Sequence, residues 1–374
     1  MELQLLNKAD AKYIEKKGTK VKEKKNFDFV DTIRCISMVG IVFEHCTMIG
    51  EPYYENFYSS AFQASFMQFF KFATIIFFLI GGFLINHKFT EYTAWEYLKN
   101  RFNNTIKPWF IWLNILILVN IGSELEQYFR RGSSLMTNDF FSYLGNLYFR
   151  TVFFSSFWFV LNFLICIAIL LIFKRYLYKR WFGGVLAIIS LFYSVNLYFN
   201  WIVTNHTTAF FGFIFYLWLG VMMNKYYNQF KIWISRISIW VIIGFTSVFF
   251  LLAVLESVYL KNLWSNDAYN TLRFTNILYS LSFFLLLLKL GSIHFVNKCF
   301  DPRTTTFGIY LVHQIIITHV VTEVFRPFDY NMNTITLIDA ASYSIFRFLV
   351  AYSISFGLVM LIRYTSFKSS IGMR

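Results

Sequence analysis

Stretches of about 18–23 largely apolar residues follow one another along almost the whole chain, each long enough to cross roughly 30 Å of hydrocarbon as a helix. A chain of this kind has few folds open to it, because backbone groups in lipid must be satisfied within a helix or a closed barrel. A barrel would show alternating segments of about ten residues, and the sequence has none. Composition agrees: 57% of residues are apolar and only 14% charged, against about a quarter charged in soluble proteins. Phe alone occurs 48 times. The fold class expected is all-α and polytopic. About ten transmembrane helices are read at 28–49, 66–86, 106–122, 157–173, 183–199, 207–223, 237–256, 274–290, 306–325 and 340–362.

Lysine and arginine set the orientation. The first 25 residues hold eight lysines, and the basic residues then recur in every second loop (Lys88 to Lys107, Lys174 to Arg180, Lys225 to Arg236, Lys289 to Arg303, Arg363 to Arg374). The opposite loops hold few. By the positive-inside rule both termini are expected in the cytoplasm. The net charge of +14 is then a topology signal and a contact for anionic lipid, not a nucleic-acid arm. The expected organisation is a basic tail over 1–25, a ten-helix membrane domain over 26–365 and a short tail over 366–374. No cleavable signal peptide is visible. Cys35, Cys46, Cys166 and Cys299 show no pairing pattern. The longest outward loop, 123–156, has an aromatic second half suited to a short helix folded back into the interface.

Charged and imidazole side chains inside spans are the informative ones, because burying them is costly unless they are paired or hydrated. Arg34 and His45 lie eleven positions apart in the first span. At 100° per residue they are about 20° from three full turns, so they share one face, roughly 16–17 Å apart along the axis. Glu44, Lys71, His313, His319, Glu323 and Arg347 also fall within spans. Ion pairing between helices is the structural reading, favoured for Lys71 and Glu323. Proton transfer in a polar intramembrane cavity is the functional reading, favoured for His45 and Arg347. No metal site is expected: His313 and His319 lie about 120° apart around a helix, and no zinc-type spacing occurs. Gly81-Gly82 is either a packing notch or a flexible backbone site near a ligand.

Five segments together resemble the acyltransferase family 3 membrane proteins. VDTIRCISMVGIVFEHC is similar to that family's first helix, whose hallmark is Arg, ten residues, His; here these are Arg34 and His45. FFLIGGFLI (77–85) resembles its FFxxSGFLI segment, with Gly81 where Ser is usual. KNRFNNTIKPW (99–109) resembles its basic, proline-ended stretch; Arg101 and Pro108 stand in place, but Asn104 or Thr105 replaces a second arginine. FWFVLNFLI (157–165) and GIYLVHQII (308–316) are similar to its LWFL and YLxH segments. The matches keep the family's order over nearly the whole chain.

The resemblance implies an enzyme that moves an acyl group, most often acetyl, from cytoplasmic acyl-CoA to a hydroxyl of an envelope glycan or lipid-linked glycan. It implies a multi-pass protein of the inner (plasma) membrane, bacterial in origin, of the stand-alone kind without an extracytoplasmic esterase-like domain. Acyl-CoA is then a substrate, and no tightly bound cofactor is expected. Arg34, Lys88, Arg101 and Lys107 suit its phosphates. His45 serves as general base or accepts the acyl group itself. Glu44 is a possible orienting acid, although neighbours on a helix point about 100° apart. Arg347, Trp158, His313 and the backbone N–H groups near Gly81 and Gly82 are candidates to line the cavity or stabilise the oxyanion. The alternative is an exporter of a glycan or lipid-linked intermediate, without acyl-transfer chemistry.

Overall fold

The computed structural model describes residues 27–47, 56–131, 140–202, 205, 207–263, 265, 267–328 and 335–373. The basic tail expected over 1–25 lies outside them. The α-helices are, in order, α1 (Asp28–Cys46), α2 (Phe57–Gln68), α3 (Ala73–Ile85), α4 (Lys88–Glu91), α5 (Ala94–Arg101), α6 (Lys107–Arg131), α7 (Phe140–Phe154), α8 (Trp158–Ile172) and α9 (Arg180–Phe199). Then come α10 (Ile214–Lys225), α11 (Tyr227–Arg236), α12 (Ile239–Asn262), α13 (Phe274–Leu290), α14 (His294–Phe300), α15 (Pro302–Ile315), α16 (Thr322–Phe325) and α17 (Leu337–Arg363). Two π-helical turns, Phe102–Ile106 and Ile316–Val321, join α5 to α6 and α15 to α16. No strand occurs among the described residues.

Six stretches are long and apolar enough to cross a membrane: Phe57–Ile85, Ala94–Arg130, Arg180–Phe199, Ile239–Asn262, Pro302–Phe328 and Leu337–Arg363. Two bent pairs, α7 with α8 at 67° and α13 with α14 at 97°, raise the number to eight if each pair is one span. The expected count of ten is therefore not reproduced among the described residues. The two remaining expected spans differ for physical reasons. Helix α1 carries Asp28, Asp31, Arg34 and Glu44 within its 19 residues. Helix α10 has 12 residues, about 18 Å at 1.5 Å per residue, well short of a bilayer core. Both are packed among the other helices, where contact with protein replaces contact with lipid. The aromatic half of 123–156 forms α7, as a helix expected there would.

Glycine sets how closely α3 and α10 approach. A Cβ on Gly82 would lie 1.9 Å from the Leu217 carbonyl oxygen, and one on Gly220 would lie 2.0 Å from that of Leu79. The two backbones touch where neither residue has a side chain, the small-residue packing that membrane helices use. At Gly81 a Cβ would meet the Phe163 ring at 2.4 Å. Gly81 and Gly82 thus form a packing notch, the first of the two roles read for them. Gly82→Ala is expected to cost about 1–3 kcal/mol through overpacking. Gly244→Ala, with nothing within 4 Å of its Cβ, should cost nothing measurable; parallel denaturation in detergent tests the contrast.

Helix α1 stands between two apolar cores. Val30 and Ile33 belong to one, with Phe78, Leu79 and Leu217. Met38, Val42 and Cys46 belong to the other, with Leu113, Val312 and Val359. Ile41 and Phe77 pack against both. The chain end is tied in as well: the Trp112 indole donates to the Ser370 carbonyl at 2.9 Å, and Ile371 is buried. The stretch expected as a short tail therefore begins as a 3-10 helix, Ser366–Ile371, seated against α6.

A third assembly is polar. Arg273 is completely buried, and its guanidinium donates to the carbonyls of Asn270 and Ala253, to the Ser257 hydroxyl and to Gln68 Oε1. Gln68 in turn donates to Asn276 at 2.7 Å. Glu256 accepts from the backbone N–H groups of Phe274 and Thr275 and from the hydroxyls of Thr275 and Tyr198. This carboxylate caps the start of α13, where helix N–H groups have no partner of their own. The network clamps α2, α12 and α13 together.

Candidate active site

Helix α1 runs unbroken from Asp28 to Cys46, so Arg34 and His45 keep the shared face and the roughly 16–17 Å separation that their spacing gives. Acidic residues open the helix and His45 falls in its last turn, each at the favourable end of the helix dipole.

At the Arg34 end, Arg34 donates to Asp31 Oδ1 at 2.9 Å, and Arg303 at the start of α15 donates to Asp31 Oδ2 at 2.5 Å. One carboxylate thus joins two guanidiniums from different helices. Arg101 is close enough to repel Arg34, as Arg303 also does. Its Nε donates to the Tyr97 hydroxyl at 2.9 Å, and its guanidinium lies 5.1 Å from the centre of the same ring. Helix α14 locks the site from beside: the Thr32 hydroxyl donates to Asn297 and accepts from the Ile293 N–H, each at 3.0 Å. Of the four cations expected to serve the donor, this brings Arg34 and Arg101 together. Lys88 pairs instead with Glu91 at 3.4 Å, over the Tyr92 ring, and Lys107 is exposed.

At the other end the ring of His45, which is exposed, lies 5.4 Å from the ring of His313. His313 is fully buried. Its Nδ1 faces the carbonyls of Tyr310 at 2.7 Å and Ile309 at 3.2 Å. A carbonyl only accepts, so Nδ1 carries the proton and Nε2 keeps its lone pair. That Nε2 is buried with no partner. Tyr310 itself is held by its hydroxyl, which donates to the Ser156 carbonyl at 2.7 Å.

Arg347 of α17 is 6% exposed, with its guanidinium 5.7 Å from the Tyr343 ring centre. It is near enough to Cys46 to act on it electrostatically. Its Nε is buried without a partner, and among the described residues no ion pair is found for it. A buried guanidinium without a counter-ion is costly, so two unsatisfied polar atoms, on Arg347 and His313, adjoin the His45–Cys46 turn.

Glu44 forms an ion pair with Lys71, in the turn between α2 and α3. Its carboxylate therefore ties α1 to that turn, the interhelical role favoured for Lys71. Glu323 pairs with Arg326, three residues on, both more than half exposed; among the described residues no interhelical ion pair is found for it. Trp158 is buried against Phe213, ring centres 5.4 Å apart. His319, in the second π-helical turn, contacts Asn120 at 2.9 Å and Ser123 at 3.3 Å across on α6. A cleft of about 380 Å³ beside Phe43 is lined by Phe62, Ser65, Phe66, Phe69, Phe70 and Phe250. The Ser65 hydroxyl donates to the Ala61 carbonyl at 2.7 Å, so this wall offers apolar contact and no chemistry.

Sequence reasoning missed Asp31 and Arg303 as site residues. Asp31, three positions before Arg34 in a helix, had a local signal in its spacing. Arg303 had none, since its partner lies in another helix 272 positions away.

A family model described as an acyltransferase domain matches residues 27–362, which takes in both ends of α1 and every residue placed around them. No curated protein and no solved structure matches the chain. With a helical, multi-pass membrane architecture and a match over essentially its whole length, the chain belongs to acyltransferase family 3 and is a transferase of acyl groups other than aminoacyl groups.

Proposed function

We propose that this membrane acyltransferase takes an acyl group, with acetyl as the reference case, from acyl-CoA and delivers it to a hydroxyl of an envelope glycan or a lipid-linked glycan. The observation that carries the reading is the division of labour along α1: clustered guanidiniums at one end and two imidazoles with an unpartnered nitrogen at the other. The separation of roughly 16–17 Å is comparable to an extended pantetheine arm. Phosphates paired with Arg34 and Arg101 would then leave the thioester near His45. The Arg34 end faces the cytoplasm, where the donor is made, and the protein resides in a bacterial inner (plasma) membrane.

His45 acts as general base. As the acceptor oxygen attacks the thioester carbon, its proton passes to the imidazole, the negative charge gathers on the carbonyl oxygen, and Arg347 is the cation available to meet it. Collapse of that intermediate breaks the C–S bond, and the CoA sulfur takes the proton back from the imidazolium. His313, fixed by its Nδ1 hydrogen bonds, presents a lone pair to the same space and backs the proton transfer. Purified protein is expected to bind radiolabelled acetyl-CoA and to hydrolyse it slowly without acceptor. Mass spectrometry of the host's surface glycans should show one acyl modification lost when the gene is removed. Absence of both donor binding and hydrolysis would overturn the reading.

A further inference from the structure

Helix α15 repeats the polarity of α1. Arg303 lies where α15 meets Asp31, and His313 lies ten residues on, where α15 meets His45. Contacts at both ends set the two helices side by side in the same direction. The rise from Arg303 to His313 is about 15 Å, close to the roughly 16–17 Å from Arg34 to His45. Each of these two helices therefore runs from a guanidinium to an imidazole.

Asp31 is 10% exposed, Arg34 25% and Arg303 51%, so the cations can be reached from solvent while the carboxylate between them is sheltered. Each oxygen of Asp31 takes one arginine, which fixes the spacing of the two planar forks. Arg34 commits only Nη1 in this way and keeps its other donors. The charges acting most strongly on Arg34 are one carboxylate, Asp31, and two cations, Arg303 and Arg101. Three guanidiniums thus gather at this end of α1, a concentration of donors suited to a phosphate. Arginine forks pair with phosphate oxygens two at a time.

We propose that Arg303 is a second phosphate-binding residue of the donor site, splinted to Arg34 by Asp31, so that the anionic end of acyl-CoA lies between α1 and α15. The inference rests on the donor reading above. Its test compares acetyl-CoA with S-acetyl-pantetheine, which carries the thioester but no phosphate. Steady-state turnover and CoA binding would be measured in nanodiscs for wild type, Arg34→Gln, Arg303→Gln and Arg303→Lys. Arg303→Gln should weaken CoA binding and raise the acetyl-CoA KM by about tenfold to a hundredfold, the range for hydrogen bonds to charged groups. The KM for S-acetyl-pantetheine, which has no phosphate to lose, should rise far less than that for acetyl-CoA. Arg303→Lys keeps a cation for Asp31 and serves if the glutamine variant misfolds; a several-fold rise confined to acetyl-CoA is expected. Equal losses for both donors would make Arg303 a merely structural tie and overturn the proposal. Normal CoA binding in Arg303→Gln beside weakened binding in Arg34→Gln would also overturn it, with the donor reading intact. A wild-type protein that binds no CoA would remove both.

Discussion

His45→Ala should abolish acyl transfer, lowering turnover by about 10²–10⁴-fold, the usual contribution of a positioned general base. The protein should still fold, because His45 is exposed and surface substitutions away from special features are usually within about 0.5 kcal/mol of neutral. CoA binding should persist, since the guanidinium cluster is three turns away. The neighbouring imidazole sharpens the test. His313 is held by two backbone carbonyls and has an unpartnered Nε2, so it is an alternative base at this end of the helix. A His45→Ala protein that retains wild-type turnover, beside an inactive His313→Gln, would move the base to α15. In the native host His45→Ala should leave the glycan at the surface but unacylated. Retention of glycan inside the cell would instead favour an exporter.

A comparably large effect, on stability, is expected at Arg273, which touches neither end of α1. Arg273→Met should destabilise the protein by about 3–5 kcal/mol, as removal of one member of a buried charged network does. The loss strands the acceptors on Asn270, Ala253, Ser257 and Gln68 and deprives Glu256 of a nearby opposing charge. Arg326→Met is the control, because its ion pair with Glu323 is exposed. SDS-induced unfolding of both variants, with acetyl-CoA binding measured before denaturant is added, checks the prediction. A loss at Arg273 no greater than at Arg326 would show that the network is not what holds α2, α12 and α13 together. Three of the four acceptors lie within 20 residues of Arg273, so the α12–α13 hairpin can satisfy the guanidinium before the rest of the bundle closes.

The helical class and the geometry of α1 were legible because both depend on spacing along the chain. A run of apolar residues has the length of a bilayer, and a separation of eleven residues returns to one face of a helix. Where spacing carried no information the reading fell short. Helix α10 looked like a span because the apolar run from 207 to 223 includes the turns before Ile214; tight packing through Gly220 explains its burial better than lipid does. The 67° and 97° bends follow from tertiary packing and leave no mark in a hydropathy pattern. Gly81-Gly82 was undecided until the backbone opposite it was known. Arg303 counted only as a topology charge, because an ion pair across 272 positions follows no local rule.

The continuity of α1 has one further consequence. With no break between its charged start and its last turn, the distance between its ends is set by the number of peptide units and cannot drift with side-chain motion. On the proposed donor reading, the helix is a rigid gauge of donor length. A longer acyl chain would project beyond His45 and leave the phosphates where they are, while one residue inserted between Arg34 and His45 would swing the imidazole about 100° out of line without deleting a single functional group.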